Sequence, residues 1–397
     1  MAYVSPRMAE PASEFYGIDT LGMPLEVWPQ VVVELHCFAR GLTKEEGGLG
    51  RFGHFRNAVD LIWNKPDSKD PFIWTPEALR MAEESCRCLD DGVQFLGVAG
   101  AASCGKSAFF AVWAVVNYYS SPALTQVVVL STTLRAARQR IWKCIVSRWL
   151  SAGIDKVAGK LVDSMGKIKG IDSDQRYCDG TGIQLFAAEK KSEKDAVGSL
   201  IGIKSPRLFL IMDEAPELAD GILTACDANL AANPNFFCVA LGNPSKRYDM
   251  FGSVCKPADP RSWEALDVDT SFEWKTTRGR AIRFDAERNR NVETGRTVYP
   301  WMLTRQRIDE IGKKFGKDSL MYYRMVRGFW APEGVEDGIY SEAELIRAGA
   351  QQQALWLDHP IRLMAVDLSF TSGGDRSVAY PGSLGIDTST GLVTLEF

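Results

Sequence analysis

The sequence predicts an α/β fold in which a parallel sheet is covered by helices on both faces. Five runs of continuous apolar residues alternate with helix-like stretches, at residues 93–98, 126–131, 183–187, 208–212 and 236–241. Continuous runs, as opposed to alternating ones, are typical of strands that are buried on both faces. Residues 108–119 are apolar nearly all round, which predicts a helix buried against that sheet. Together these patterns predict an α/β domain.

Length and composition set the remaining bounds. The chain has 397 residues, of which 46% are apolar, and this is enough for two or three domains with substantial cores. A formal net charge of −4 gives no overall attraction to nucleic acid, so a DNA partner has to be bound by local clusters of Lys and Arg. The longest apolar run is too short to span a bilayer, and the cysteines are scattered without a secretion signal. These features predict a soluble intracellular protein with reduced thiols.

The most specific motif is a phosphate-binding loop between the first predicted strand and the helix that follows it. Its eight residues are Gly100, Ala101, Ala102, Ser103, Cys104, Gly105, Lys106 and Ser107. In such a loop, the backbone N–H groups and the helix N-terminus face the phosphates. We expect Lys106 to reach the terminal phosphates and Ser107 to bind Mg²⁺. A glycine-rich turn that binds nothing is disfavoured, because the spacing, the Lys-Ser ending and the strand-helix setting all agree.

A second motif ends the apolar run at residues 208–212 with two carboxylates, Asp213 and Glu214. Asp213, at the carboxyl end of a strand, is predicted to hold the Mg²⁺ that accompanies ATP. Glu214 points the other way along the strand, so we expect it to polarise the attacking water as a general base. Two adjacent acids suit hydrolysis better than a kinase reaction. The alternative is a pair of solvated acids at an exposed strand end.

Two further segments have weaker interpretations. Gly242 and Asn243 follow the last predicted strand, where a polar residue can sense the γ-phosphate in ATPases, but Gly-Asn-Pro is also an ordinary turn signal. Residues 131–140 are predicted to be a strand end that leads into a basic helix, and hydroxyls and arginines there could contact a DNA backbone. A solvated helix face is the alternative for that segment.

Changes in composition and residue pattern divide the chain into four parts. Residues 1–75 are predicted to be an N-terminal arm, with a short helix at residues 25–40, and residues 76–270 to be the P-loop ATPase domain. Residues 271–355 contain charged, aromatic-punctuated helices at 305–315 and 319–329, which predict a linker or lid subdomain. A new strand at residue 361 opens a further α/β domain at residues 356–397.

The order of these motifs resembles that of the large terminase subunit of tailed bacteriophages, the ATP-driven motor that packages viral DNA into procapsids. The resemblance covers residues 90–377 and rests on GAASCGKS, STTLRAARQR, LFLIMDEA, ALGNPS, TTRGRAIRFDAERN, DEIGKKFGKDSLMYYRMVRGFW and VDLSFTSGGDRS. The last two segments are the most specific. A helix that ends in Arg327-Gly328-Phe329-Trp330 and a strand followed by Gly-Gly-Asp-Arg-Ser are not shared by ATPases in general.

The resemblance implies a P-loop ATPase of the additional-strand, catalytic-glutamate type, joined by a linker subdomain to an RNase H-like nuclease that cuts concatemeric DNA. Its motifs match a set of residues in this chain: Lys106 and Ser107 for phosphate and Mg²⁺, Asp213 for the metal-site acid, Glu214 for the base, and Gly242 with Asn243 for coupling. It also implies double-stranded DNA, a portal protein and a small terminase subunit as partners, a homo-oligomeric ring on the portal, no membrane contact, and the host cytoplasm as location.

In the nuclease part, Asp367 matches the first carboxylate that binds the divalent metal, and Asp375 lies in the associated turn. About forty residues cannot complete such a domain. A two-metal nuclease also needs several converging carboxylates, and only those of the first strand are present. We therefore expect no nuclease activity from this chain by itself.

Many large terminases have an arginine inside the phosphate loop, whereas this loop has none. An arginine finger has to come from elsewhere, either within the chain or from a neighbour in a ring. The candidates are Lys204, Arg207, Arg135, Arg138 and Arg140. Two other functions stay open: a helicase-like DNA-remodelling ATPase, which needs a second motor domain that is not found after Asp249, and a non-catalytic, nucleotide-dependent scaffold on a portal ring.

Overall fold

A computed structural model describes residues 28–66, 68–152, 159–172, 176–187, 203, 205–233, 235–332, 335, 354–367, 378–389 and 391–396. The chain divides into two compact units, Met1–Val335 and Glu336–Phe397.

The first unit is organised around a nine-stranded sheet. Its strands are β1 (Phe95–Gly100), β2 (Thr125–Ser131), β3 (Lys160–Val162), β4 (Lys167–Ile171), β5 (Tyr177–Ala187), β6 (Arg207–Met212), β7 (Phe236–Gly242), β8 (Glu273–Lys275) and β9 (Arg280–Phe284). Their order across the sheet is β3-β4-β5-β2-β6-β7-β1-β9-β8. The strands from β5 to β9 in this order run parallel, and the remaining edge strands pair antiparallel.

All five strands predicted from apolar runs are present, as β1, β2, β5, β6 and β7, and the α/β fold class is confirmed. Strand β7 lies between β1 and β6, so the strand before the phosphate loop does not touch the strand that ends at Asp213. Four further strands, β3, β4, β8 and β9, have no counterpart among the predicted ones. They are short and carry charged residues, as in the EWK of β8, so they lack the apolar run that marks the central strands.

Helices cover one face of the sheet. They are α1 (Trp28–Arg40), α2 (Gly50–Trp63), α3 (Pro76–Asp90), α4 (Lys106–Ser120), α5 (Leu134–Ala137) and α6 (Lys143–Ala152), with a π-helical segment, Arg138–Trp142, between the last two. Helix α4 is the predicted apolar helix, and it is buried from Phe109 to its end. The side chain of Thr75 caps the start of α3 by accepting a hydrogen bond from the N–H of Ala78.

The predicted N-terminal arm is part of this core from residue 28 onward. Phe38 on α1 and Phe55 on α2 are fully buried, and both rings pack against Trp113 of α4. Residues 1–27 lie outside the described residues. Gly and Pro interrupt the apolar pattern before residue 70 and favour an arm; the apolar faces of α1 and α2 are nevertheless wide enough to cover α4.

The opposite face carries α7 (Gly221–Ala232) and α8 (Met250–Cys255). Together with Trp263 and Trp330, their apolar residues form a second buried cluster under β1, β2, β6 and β7. The sheet is therefore buried on both sides, as its continuous apolar strands require.

The region predicted to be a separate linker from residue 271 is continuous with this unit. Strand β9 pairs in parallel with β1, with Gly100 opposite Phe284. It is followed by α9 (Arg290–Thr294), α10 (Arg305–Phe315) and α11 (Leu320–Tyr322), and a second π-helical segment, Tyr323–Arg327, ends the predicted helix at 319–329. The compact unit therefore runs to Val335. The sequence does not indicate this, because the pairing of β9 with β1 is a long-range contact without a local sequence signal.

The second unit contains three antiparallel strands, β10 (Ile361–Asp367), β11 (Val378–Ile386) and β12 (Val393–Glu396). They are ordered β10-β11-β12 in the sheet. In the described part of the chain, no helix combines the length and apolar character that crossing a membrane demands.

Candidate active site

The phosphate loop connects β1 to α4 as predicted. The N–H of Ala101 donates to the carbonyl of Phe284 at 2.9 Å, and the N–H of Ala102 donates to the carbonyl of Met325 at 3.0 Å. Ser103 has a positive φ of 61°, and Gly105, with φ of 86°, precedes the first residue of α4. The base of the loop is thus tied down, while its later residues turn into the N-terminus of a 15-residue helix, where the helix dipole favours anions.

Lys106 is held inside the loop by neutral acceptors. Its Nζ donates to the carbonyls of Gly100 at 3.2 Å and Ala101 at 3.1 Å, and lies 3.4 Å from Sγ of Cys104. Each of these is a weak partner for an ammonium group compared with a phosphate oxygen. The cation is therefore available to a phosphate at a small cost in hydrogen bonding.

Ser107 and Asp213 meet across the end of the sheet. The Ser107 hydroxyl donates to Oδ1 of Asp213 at 2.9 Å, and Asp213 is only 2% exposed. Its second oxygen, Oδ2, has no hydrogen-bond partner among the described residues. Burial, and then the neighbouring charge of Glu214, raise the pKa of Asp213 to about 6. A buried carboxylate with one free oxygen next to a serine hydroxyl fits a hard cation such as Mg²⁺, which takes oxygen ligands and keeps several from water and phosphate.

In the described residues no group of three or more His, Cys, Asp or Glu side chains is arranged to hold a metal. A Mg²⁺ at Ser107 and Asp213 would therefore depend on phosphate oxygens for part of its coordination, as in other P-loop sites.

Glu214 occupies a strained position directly after Asp213. Its backbone is left-handed, with φ of 56° and ψ of 43°, which is uncommon for a residue with a Cβ. The Oε1 of Glu214 lies 2.6 Å from Nη1 of Arg140 on the π-helical segment Arg138–Trp142. Its carboxylate is thus held by a cation, whereas one oxygen of Asp213 stays without a hydrogen-bond partner among the described residues.

The turn after Glu214 is packed against the end of β7. A Cβ on Gly242 would overlap Cδ of Pro216, so a residue larger than glycine cannot occupy that strand end without moving the turn. Glu217, the last residue of the turn, pairs with Arg324 at 3.6 Å. Asn243 follows Gly242 directly. The end of β7 is therefore in direct contact with the turn that follows Glu214.

The residues that support the loop from below are not among the predicted site residues. Gly328, with φ of 56°, lies so close to the loop that a Cβ would overlap the nitrogen of Ala101 and the carbonyl oxygen of Phe284. The preceding Arg327 donates to Asp285 at 2.8 Å and pairs with Asp269 at 2.5 Å. Both positions belong to the Arg-Gly-Phe-Trp segment, whose only signal in the sequence is its resemblance to the terminases.

This segment also reaches the chain that follows β7. The indole Nε1 of Trp330 donates to the carbonyl of Lys246 at 3.2 Å, and Arg247 donates to the carbonyl of Ala331 at 3.0 Å. Residues 322–331 therefore contact both the phosphate loop and the segment after Gly242.

The candidates for an arginine finger occupy different surroundings. Arg207 begins β6 at the edge of the sheet opposite Asp213, where burial lowers its pKa to about 10 and its guanidinium donates to Ser120 and Thr125. Arg138 donates to the carbonyl of Ser164 at 2.6 Å, and Arg135 is exposed. Among the described candidates, Arg140 forms an ion pair with a predicted catalytic residue, Glu214. Lys204 lies outside the described residues.

The predicted nuclease residues are only partly described. Asp367 is the last residue of β10, which agrees with its expected place at a strand end, but its side chain lies outside the described part. Asp375 lies outside it altogether. The divalent-metal site of the nuclease thus stays a prediction.

Several solved structures of phage proteins are similar to this chain at low sequence identity. The large terminase of bacteriophage HK97 matches with a TM-score of 0.53 at 12% identity, over 87% of this chain and 67% of that chain. A mutant ATPase domain of the large terminase of Thermus phage P74-26 matches with a TM-score of 0.46 at 14% identity, over 66% and 95% of the two chains. The large terminase of a thermophilic bacteriophage in complex with ADP matches with a TM-score of 0.43 at 11% identity, over 78% and 65%.

No protein-family model matches the sequence, and no curated protein matches it. The chain spans about two thirds of the HK97 protein and of the ADP-bound terminase, 67% and 65% of their lengths. At 12% identity the likeness to the HK97 protein concerns the fold alone. The predicted resemblance is confirmed at that level: this chain has the fold of the phage large terminases.

Proposed function

We propose that this chain is the ATP-hydrolysing motor subunit of a phage terminase, which moves double-stranded DNA into a procapsid. The observation that carries the proposal is the contact between Ser107 and Asp213, which joins the phosphate loop to the end of β6 at 2.9 Å. This contact supports the proposal because it joins a hydroxyl at the start of α4 to a carboxylate at the carboxyl edge of a parallel sheet. Such an edge is where α/β folds bind their ligands.

Each residue then has a role that follows from its surroundings. The amides of Ser103 to Gly105 and the N-terminus of α4 hold the phosphates, and Lys106 turns from the loop carbonyls to the terminal phosphates. Ser107 and the free oxygen of Asp213 hold Mg²⁺, which neutralises phosphate charge when bound. Asn243, at the end of β7, senses the terminal phosphate.

Hydrolysis uses Glu214 as the base. The oxygen of a water molecule forms a bond to the γ-phosphorus, and the bond from that phosphorus to the bridging oxygen breaks, so ADP leaves with the electron pair. Glu214 takes the proton of the water. The packing of Pro216 against Gly242 couples this turn to the end of β7, so a change at the phosphates is passed to the segment that follows.

The partners of the motor are part of the same proposal. We assign to it a portal protein, a small terminase subunit and a homo-oligomeric ring, in the cytoplasm of the host. Asp367 is proposed to belong to the metal site of an RNase H-like nuclease.

A helicase-like ATPase shares the same nucleotide motifs. It needs a second motor sheet, and the nine-stranded sheet of the first unit is the one such sheet in the described residues. A terminase motor is favoured because the fold matches a large terminase over 87% of the chain.

The test compares ATP binding and turnover for the chain and for Lys106→Ala. We expect the variant to bind ATP at least about tenfold more weakly, because each charge-assisted hydrogen bond to phosphate contributes about 1.5–3 kcal/mol. Turnover of the unaltered chain should rise when DNA and portal are added together. If Lys106→Ala binds ATP with the affinity of the unaltered chain, the phosphate loop is not the ATP-binding site. If the unaltered chain binds ATP but does not hydrolyse it under any of these conditions, a non-catalytic scaffold is favoured.

A further inference from the structure

Residues 296–305, which connect α9 to α10, form a loop that exposes apolar side chains; we call it the aromatic loop. The rings of Tyr299 and Trp301 contact each other, with their centroids 5.5 Å apart. Trp301 is 44% exposed and Val298 is 45% exposed. Single apolar residues at a surface are ordinary, whereas several in one tight loop form a patch. The aromatic loop therefore presents an apolar tip to solvent.

A buried asparagine fixes the backbone of this loop. The Oδ1 of Asn291 accepts hydrogen bonds from the N–H groups of Val298 and Tyr299, both at 2.8 Å. Its Nδ2 donates to the carbonyls of Tyr299 at 2.7 Å and Met302 at 3.1 Å. The aromatic tip is thus held on a rigid base. A partner that buries it loses little conformational entropy, which favours binding.

The charge around the tip is positive. From residue 294 to residue 308 the sequence contains Arg296, Arg305 and Arg307 and no acidic residue. Arg307 pairs with Glu310, whereas Arg296 and Arg305 are exposed and form no ion pair with a described residue. Tryptophan, tyrosine and arginine are the residues that most often dominate the binding energy of protein interfaces. The aromatic loop combines all three.

Helices α1 and α2 form an open groove of complementary shape. Its volume is about 580 Å³, and its lining includes Val33 of α1 and Leu61 of α2. Val33 is 58% exposed, so part of the floor of the groove is apolar and open to water. Volumes of about 300–1,000 Å³ are typical of pockets that bury a small ligand. The groove is therefore large enough to take an indole ring.

Two carboxylates, Glu34 and Asp60, border the α1–α2 groove. The Nδ1 of His54 donates to Glu34 at 2.7 Å, while Nε2 of the same ring accepts from the N–H of Leu49 at 2.9 Å. An imidazole that accepts at one nitrogen is neutral, so it does not compensate the charge of Glu34. The cation paired with Asp60 is Arg56, which is half exposed and lies 3.9 Å away. The groove is thus apolar at its floor and negative at its border.

We propose that the aromatic loop of one copy of this chain binds in the α1–α2 groove of a neighbouring copy. Trp301 lies on the apolar floor of the groove, and Arg296 and Arg305 face its two carboxylates. Because loop and groove are different surfaces, the contact repeats from copy to copy and gives a ring where the rotation closes. The inference rests on the proposed function, to which it adds the surfaces that join neighbouring subunits.

The test uses two variants, each of which removes one half of the contact. Val33→Lys puts a cation on the groove floor, where the arginines of the loop approach, and Trp301→Ala removes the aromatic anchor. Self-association of the chain is measured by sedimentation velocity at concentrations up to about 100 μM. The matched controls are Leu150→Lys on α6 and Phe315→Ala on α10, at residues that are 54% and 41% exposed.

We expect each variant to weaken self-association at least about 30-fold, as the loss of an interface hot spot does, and each control to change it less than about threefold. The two variants, mixed together, should form a dimer and nothing larger. Val33→Lys keeps an intact loop and Trp301→Ala an intact groove, so one contact forms and neither end can extend it. Both variants should bind ATP as the unaltered chain does, because neither residue belongs to the phosphate loop.

The contact is overturned if the unaltered chain stays monomeric, if both variants associate as it does, or if their mixture stays monomeric. Unchanged self-association together with weaker DNA binding in Trp301→Ala would also overturn it and would assign the loop to nucleic acid. If Trp301→Ala does not fold, Arg305→Glu replaces it, because it sets a carboxylate against the two carboxylates of the groove. An unaltered chain that does not bind ATP is a separate result, which contradicts the proposed function.

Discussion

Two regions border the phosphate loop, and they treat charge in opposite ways. On the catalytic side, Asp213 keeps a buried oxygen without a partner among the described residues, and Lys106 is bound to neutral carbonyls. On the supporting side, Arg327 and Asp285 form a direct ion pair at 2.8 Å beneath the loop, next to the fully buried Arg283. The catalytic side keeps its polar groups available for a ligand at a cost in stability. The supporting side pairs Arg327 with Asp285 and Asp269 and so fixes the backbone, although Nε and Nη1 of the buried Arg283 have no hydrogen-bond partner among the described residues.

The largest effect on stability is expected from Arg327→Ala. Removing the guanidinium leaves the buried Asp285 with the N–H of Glu287 at 2.9 Å and, as a charged partner, the more distant Arg283 at 3.6 Å, and it frees Asp269. Breaking a buried pair in this way costs about 3–5 kcal/mol. Unfolding in urea measures it, and a loss below about 1 kcal/mol, the range of exposed pairs, would show that the supporting side does not stabilise the unit.

Gly328→Ala should have the next largest effect and should link the two regions. The new Cβ overlaps backbone atoms of Ala101 and Phe284, and the residue already has a left-handed backbone. Crowding and strain together cost about 2–4 kcal/mol. Since Ala101 belongs to the phosphate loop, we expect nucleotide affinity to fall as well. A folded variant with normal nucleotide affinity would mean that the loop is independent of residues 322–331.

Asp213→Asn, in contrast, should increase the free energy of unfolding, by an amount that depends on pH. The pKa of Asp213 is raised from 3.8 to about 6, so the folded chain holds a proton more tightly than the unfolded chain does. Stability therefore falls as pH rises from about 4 to 6 and stays low above that. Without nucleotide or Mg²⁺, the variant should be more stable by about 2–3 kcal/mol at pH 8 and by about half as much at pH 5. A difference that does not change with pH would mean that Asp213 is not the group responsible.

The smallest effect is expected from Arg307→Ala on α10. Arg307 and Glu310 form an exposed pair within one helix turn. Its loss should change the free energy of unfolding by less than about 0.5 kcal/mol. This variant is the reference for Arg327→Ala, and a comparable loss would show that burial does not set the energies of these pairs.

The difference between the regions also explains what the sequence could predict. Gly100 to Ser107 and Asp213 with Glu214 stand next to apolar strands, so one short window of sequence indicates both their chemistry and their element. The contact of Ser107 with Asp213 follows from the parallel sheet, because the carboxyl ends of its strands share an edge.

On the supporting side, no short stretch of the sequence indicates both the chemistry and the secondary structure of its residues. Arg280 to Phe284 form a strand because they pair with β1, which lies far away in the chain, and their charged residues hide the apolar pattern. The sequence around Gly328 indicates a helix end, which it is, but the close approach to Ala101 depends on the tertiary fold. The pairing of Arg140 with Glu214 likewise arises from the order of β2 and β6, and the sequence could only name Arg140 among several candidates.

The most direct test of the central claim, that the two neighbouring acids manage the hydrolysis of a bound triphosphate, is Glu214→Gln. Binding of ATP with Mg²⁺ and single-turnover hydrolysis are measured on the same preparation. We expect affinity within about threefold of the unaltered chain and a hydrolysis rate at least about 100-fold lower, because the base is lost and the charge of the turn is not needed for binding. Hydrolysis at the original rate in this variant would contradict the assignment of Glu214 and, with it, the mechanism.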